Sequence, residues 1–274
     1  MDGTDLAKKV SEQFKPIACV EAIAVGGSRT SGLIDAQSDI DLYIYTNKEI
    51  PVEKREEIVN KLGASKANMN LTYWDTGDEW FDQETGLEVD VMYWSPTWIE
   101  GKLDRVLVRH QASMGYTTCF WRTVKNSKIL FDRNNWFYKL QEKSNQPYPL
   151  ELKRAIIAKN HPVLRNVIPA YTHQIKKALE RNDLVSINHR LAALFASYFD
   201  VLFATNEVLH PGEKKILKFV NEECTLIPEN LETLISLIFQ SGAAGDLELL
   251  NELDALIDGL DKLLMIEGFH PEKN

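Results

Sequence analysis

Two short segments of the chain alternate their side chains with a period of two, and each carries an aspartate among its apolar residues. They are Ile40-Asp41-Leu42-Tyr43-Ile44-Tyr45 and Leu87-Glu88-Val89-Asp90-Val91-Met92-Tyr93-Trp94. Period two is the signature of a β-strand, in which residues i and i+2 share a face. The pattern therefore predicts a sheet with an apolar side, and it places acids on the opposite side. A carboxylate set into a sheet costs free energy unless a cation or a metal offsets it. Asp39 and Asp41 share a face by the same rule, and Asp90 sits between two valines. Any fold proposed for this chain has to explain those acids.

The surrounding pattern is that of an α/β unit. The apolar run from Pro16 to Val25 reads as a strand that ends in the Gly26-Gly27 turn. Residues 52–62 have the helical period and stop at Gly63, a residue suited to a left-handed C-cap. Residues 70–74 and 128–132 read as further strands, and 97–110 as a helix. The acidic run Asp75, Asp78, Glu79, Asp82 and Glu84 reads as a solvated loop, with a face toward a cationic acceptor as the alternative. Near 144–150 the sequence SNQPYPL breaks the pattern. Beyond it everything has the helical period: Ile187, Leu191, Leu194, Tyr198 and Leu202 form one stripe, and Leu249, Leu253, Leu256, Leu260 and Leu263 another. The expected organisation is a mixed-sheet α/β (α+β) domain over 1–145 followed by an all-α helical bundle over 146–274.

Composition narrows the functional classes. The 274 residues carry 31 Lys+Arg against 40 Asp+Glu, a formal charge of −9. Grip on a nucleic-acid backbone ordinarily requires a basic surplus, so no nucleic-acid partner is expected. The 3 cysteines, Cys19, Cys119 and Cys224, are far apart and form no CxxC pair, which suits a reducing, cytoplasmic setting. The polar start is unlike a signal peptide, and no apolar run is long enough to span a membrane. The 6 histidines are scattered, without HxxxH or HExxH spacing, and read as packed or surface residues. All 6 tryptophans lie between Trp74 and Trp136 (Trp80, Trp94, Trp98 and Trp121 between them) and read as core, with an aromatic ligand wall as the alternative.

Three pieces stand together as candidate chemistry. A Gly26-Gly27-Ser28-Arg29 turn follows a strand. Ser38-Asp39-Ile40-Asp41 begins ten residues beyond Ser28, and Val89-Asp90-Val91 lies further on. Glycines let backbone amides approach an anion, and a hydroxyl adds a donor. Three carboxylates around one point would suit hard divalent cations such as Mg²⁺. The turn is neither a P-loop nor a GxGxxG fingerprint. Arg29 reads equally as a phosphate contact or a surface ion-pair partner, Ser38 as a turn cap, and Glu88 as a solvated strand end rather than a further ligand.

In type, order and spacing, these pieces resemble the signature of the DNA polymerase β-like nucleotidyltransferases. GGSRTSG (26–32) and QSDIDLYIY (37–45) are most similar to the antibiotic-type bacterial members with a helical C-terminal domain. The resemblance covers residues 1 to about 132. It implies that Gly27 and Ser28 bind the triphosphate of ATP or another NTP, with Arg29 and Ser38 beside it. It implies that Asp39 and Asp41 hold two Mg²⁺, and that Asp90 completes the catalytic metal site and serves as base. The stretch from Asn206 to Lys214 and Lys215 is similar to one recurring in such helical domains, which makes Lys215, or Lys214 beside it, a candidate triphosphate contact. The implied activity is transfer of an NMP to a hydroxyl of a small-molecule acceptor, an antibiotic among the options, with pyrophosphate leaving. The helical domain is then the acceptor-binding part. A protein acceptor, or a catalytically silent nucleotide-binding regulator, is the alternative, and a homodimer is compatible with the sequence.

Overall fold

The computed structural model describes residues 3–27, 39–73 and 75–269. It divides into two compact units, residues 1–104 with 123–146, and residues 105–122 with 147–274.

The first unit is built on a mixed sheet of six strands: β1 (Val20–Val25), β2 (Ile40–Thr46), β3 (Ala64–Leu71), β4 (Gly77–Asp82), β5 (Glu88–Trp94) and β6 (Lys128–Asp132). Their spatial order is β3-β4-β5-β2-β1-β6. Only β2 and β5 run parallel, and the other neighbouring pairs are antiparallel. A parallel pair needs a crossover connection. Helix α2 (Val52–Leu62) and the β3–β4 hairpin supply it.

Strand alternation sorts the sheet into two faces. One face presents Ile40, Leu42, Ile44, Val89 and Val91 to Leu6, Val10 and Phe14 of α1 (Gly3–Phe14) and to Ile58, Val59 and Leu62 of α2, forming a dry core. Truncating one such leucine to alanine would cost about 3 kcal/mol. Gly63 caps α2 at φ 87°, and its amide returns to the Asn60 and Val59 carbonyls, as the C-cap pattern predicted. The opposite face carries Tyr43, Tyr45 and Trp94 at one end. There Tyr43 stacks on Trp94 (centroids 4.6 Å apart) and Trp94 meets Trp98 of α3 (Pro96–Leu107) at 5.1 Å. Tyr45 packs against Trp136 and Phe137 of α5 (Trp136–Ser144). The other end of this face carries the acids. Trp80 and Trp94 are buried, as the core reading of the tryptophans expected, while Trp74 lies outside the described residues.

Several sequence expectations are corrected here. The first strand starts at Val20, because residues 15–19 form turns. The strand expected at 70–74 is β3, over 64–71, and the helix expected at 97–110 ends at Leu107. The acidic run is a loop only at its exposed ends, Asp75 and Glu84. It contributes β4, whose Asp78 and Asp82 are buried. Asp78 receives Arg55 Nη1 (2.6 Å), Tyr93 Oη (2.7 Å) and the Asn70 amide (2.8 Å), so its charge is fully partnered inside the core. Asp82 accepts from the Thr85 amide and hydroxyl and shapes the turn into β5.

The second unit is helical: α4 (Cys119–Asn126) in part, then α6 (Leu150–Asn160), α7 (Pro162–Arg165), α8 (Tyr171–Glu180), α9 (Leu184–Thr205), α10 (Ile216–Glu223), α11 (Leu231–Ala244) and α12 (Glu248–Ile266). Both leucine-rich stripes read from the sequence are buried. Pro162 opens α7 at a position where a missing amide is harmless. Asp183 caps α9 by accepting the Ser186 amide at 3.0 Å. The segment 113–117 is tied into this unit by a buried network. The Thr117 amide and hydroxyl donate to Asp200 of α9 (2.9 and 2.6 Å), and the Asn160 amide group of α6 donates to Asp200 and to the Ser113 carbonyl. No helix among the described residues is long and apolar enough to cross a membrane.

Candidate active site

The parallel register of β2 and β5 decides the geometry. Asp41 pairs directly with Asp90, between the flanking pairs Ile40↔Val89 and Leu42↔Val91. Directly opposed residues present their side chains on the same face. The two acids, 49 positions apart in sequence (90 − 41), therefore stand side by side. The alternation that buries the valines and leucines on one face aims the aspartates at the other. Asp39 immediately precedes β2, and Glu88 lies two residues before Asp90 on the same face.

The row extends one strand further. In the antiparallel β4–β5 pair, Glu79 faces Asp90. Sequence reasoning missed this residue's place. Its neighbours on the core face, Asp78 and Asp82, are acids too, so β4 shows no apolar/polar alternation. The detectable signal was Trp80, an apolar residue every bit as buried as a core valine.

The electrostatics follow from this crowding. Burial pushes the Asp90 carboxyl up to about 6, and the charges of Asp41, Glu79, Glu88 and Asp39 add to the shift. Tyr43, two residues beyond Asp41, is raised as well, by burial first and then by Asp41 and Asp90. Glu88 is thus part of the acidic group and not only a solvated strand end.

The glycine turn meets the row from β1. The Gly26 amide donates to the Asp41 carbonyl at 3.0 Å, continuing the β1–β2 ladder. Gly27 has φ 64°, a conformation side chains disfavour, and a Cβ there would overlap the Asp41 Oδ2. Backbone at this point lies directly against a row acid, which only glycine permits. Ser28, Arg29 and Ser38 fall outside the described residues. Lys215 belongs to the second unit, exposed at the start of α10 with φ 54°.

The donor set fits a hard divalent cation. It consists of carboxylate oxygens whose mutual repulsion such a cation would relieve, with a side-chain-free turn beside them. Among the described residues no three His, Cys, Asp or Glu side chains converge closely enough to hold an ion as they stand.

Residues 4–112 match the family described as the nucleotidyltransferase domain. This segment is similar to a nucleotidyltransferase domain. The strand pair carrying Asp41 and Asp90 lies within the matched residues. No curated protein matches the chain. Among solved structures, a nucleotidyltransferase-like protein from Exiguobacterium sibiricum aligns with 96% of this chain and 74% of its own, at 12% identity and a TM-score of 0.43. The Thermotoga maritima CCA-adding enzyme, solved in complex with tRNA, aligns over 97% and 82% at 14% identity and 0.33. The STING-associated c-di-GMP synthase CdnE of Capnocytophaga granulosa aligns over 96% and 79% at 14% identity and 0.31. At these scores the likenesses are distant.

Proposed function

We propose that the chain transfers the NMP of ATP, or of another NTP, to a hydroxyl group of a small-molecule acceptor. The carrying observation is the side-by-side pair Asp41 and Asp90, with the Gly27 backbone pressed against Asp41. Asp39, Asp41 and Asp90 are the residues that would hold two Mg²⁺. Bound there, the ions supply Lewis-acid stabilisation of a phosphoryl centre and its leaving group. Gly27 and, by resemblance, Ser28, Arg29 and Ser38 bind the triphosphate.

The acceptor oxygen forms a bond to the α-phosphorus, and the bond from that phosphorus to the bridging oxygen breaks, releasing pyrophosphate. The acceptor proton passes to the Asp90 carboxylate, the residue that the resemblance makes the base. The proton then leaves to solvent. The aromatic packing of Tyr43, Trp94 and Trp98 gives the acid-bearing strands a rigid footing. The helical unit is the part proposed to select the acceptor, for which an antibiotic is one option and a protein the second. The formal charge of −9 favours a neutral or cationic acceptor over a polyanion.

The test is pyrophosphate release from each NTP with Mg²⁺ and a panel of hydroxylated acceptors, aminoglycosides and lincosamides among them, alongside a protein acceptor. Wild type should release pyrophosphate in an acceptor-dependent way, and the Asp41→Asn and Asp90→Asn variants should not. Release that survives the double substitution sinks the assignment. Tight Mg²⁺–NTP binding with no turnover on any acceptor would favour the regulator instead.

A further inference from the structure

The second unit contains a cavity of about 820 Å³. That is within the roughly 300–1,000 Å³ of small-molecule sites. It is formed by residues of α9, α10 and α11 together with Tyr116 and His210. Its walls are almost wholly apolar, with Phe195, Phe199 and Phe239 as the aromatic side and Leu184, Ile216 and Ile235 as the aliphatic side.

Two features give the cavity a chemical preference. First, Glu213 is the only charged residue among the described residues lining it, and neither lysine nor arginine is present. His210 adds no opposing charge. Its Nδ1 accepts the Gly212 amide at 3.1 Å, which leaves the ring proton on Nε2, and burial holds its pKa down to about 3. Second, Tyr116 is presented on the wall in a conformation a bulky residue rarely adopts. Its φ is 55°, immediately after Gly115 at 73°. The buried network described above enforces that turn: Gly115 donates to Asn160, and Thr117 donates to Asp200 on the other side. The Tyr116 ring lies 4.9 Å from the His210 ring, and the Glu213 charge acts on its hydroxyl. A strained aromatic held beside a lone carboxylate, over an apolar hollow, is the arrangement that receives a cation joined to an apolar body.

We propose that this cavity binds a small, mainly apolar molecule bearing a protonated amine, with the amine at Glu213 and Tyr116 and the apolar body between α9 and α11. The site stands independently of nucleotidyl transfer, so it is tested without nucleotide. Calorimetry on the full chain at pH 7 uses three matched probes: 4-phenylbutylamine, 4-phenylbutan-1-ol and 4-phenylbutanoate. The amine should bind about tenfold more tightly than the alcohol, and the carboxylate most weakly. Glu213→Gln, at an exposed position, should bring amine and alcohol to equal affinity while leaving the alcohol unchanged. Ala192→Trp on α9 should weaken both by tenfold or more. Ala243→Trp on α11 is a second, independent block, and both positions are exposed, which spares the core. Equal binding of amine and alcohol to wild type overturns the proposal. So does preference for the carboxylate, no binding of any probe, or amine binding untouched by both tryptophans. A concentration-dependent dimer that Ala192→Trp dissociates would overturn it too, by assigning the hollow to a second copy.

Discussion

Asp78 and Asp90 sit on adjacent strands, one register step apart, and live in opposite electrostatic worlds. Asp78 faces Val91 across β4 and β5, on the side packed by α1 and α2, while Asp90 faces Glu79 on the other side. Asp78 is fully buried, and its charge is met by the Arg55 guanidinium, a tyrosine hydroxyl and a backbone amide. Asp90 is half-buried, and the charges that act on it are acids. A carboxylate that serves the fold comes with its cation built in. A carboxylate crowded by its own kind holds a proton more tightly or takes a cation from outside the chain, and the proposed function uses the second.

The contrast can be broken by exchanging the two acids' consequences. The largest effect is expected for Asp90→Asn. Nucleotidyl transfer should fall about a thousandfold or more, about 4 kcal/mol of barrier. The melting temperature should be unchanged or higher, because a repelled charge is gone. Asp78→Asn should do the reverse, losing about 3–5 kcal/mol of stability in denaturant titration by stranding Arg55. If Asp78→Asn is stable or Asp90→Asn unfolds, the division of labour between the faces is wrong. Gly27→Ala comes next. The added methyl must displace the Asp41 carboxylate, and turnover should fall about a hundredfold, with thermal stability lowered only slightly.

The smallest effect sharpens the rule with an acid that belongs to neither face. Asp200 in α9 accepts three hydrogen bonds, yet burial raises it from 3.8 to about 6. Its folded pKa exceeds the unfolded value, so the folded state holds the proton more tightly. Its contribution to stability is fully present below about pH 4 and is lost as pH rises through 6. Asp200→Asn lacks this titration, so relative to wild type it should gain stability between pH 4 and 6. A flat difference between the two proteins across that range would refute it.

Much of this was legible before any coordinates. The strands at Ile40 and Glu88, the face on which each sets its aspartate and the two buried leucine stripes all follow from local periodicity, which a single sequence displays openly. The β3–β4 hairpin was not legible, and the reason is physical. β3 is a largely exposed edge strand of polar residues, and β4 turns two acids toward the core, so neither alternates in the usual sense. Asp78 becomes a core residue only because Arg55, 23 positions earlier, reaches it. Glu79 was invisible for the same reason. Placement of 105–122 with the helical unit depends on Thr117 meeting Asp200, 83 positions away, a pairing that no local pattern encodes.

The parallel β2–β5 register has a consequence for assembly of the protein. Side-chain direction reverses at every residue, so a slip of one position would set Val89 or Val91 beside Asp41 and turn Asp90 into the packed layer. A mispaired molecule would therefore be both poorly packed and inert. The strands can check their own alignment, because the one pairing that keeps the acids out of the hydrophobic layer is also the one that places them together. Recovery of activity during refolding would then report directly on a long-range pairing that spectroscopic helix content cannot see.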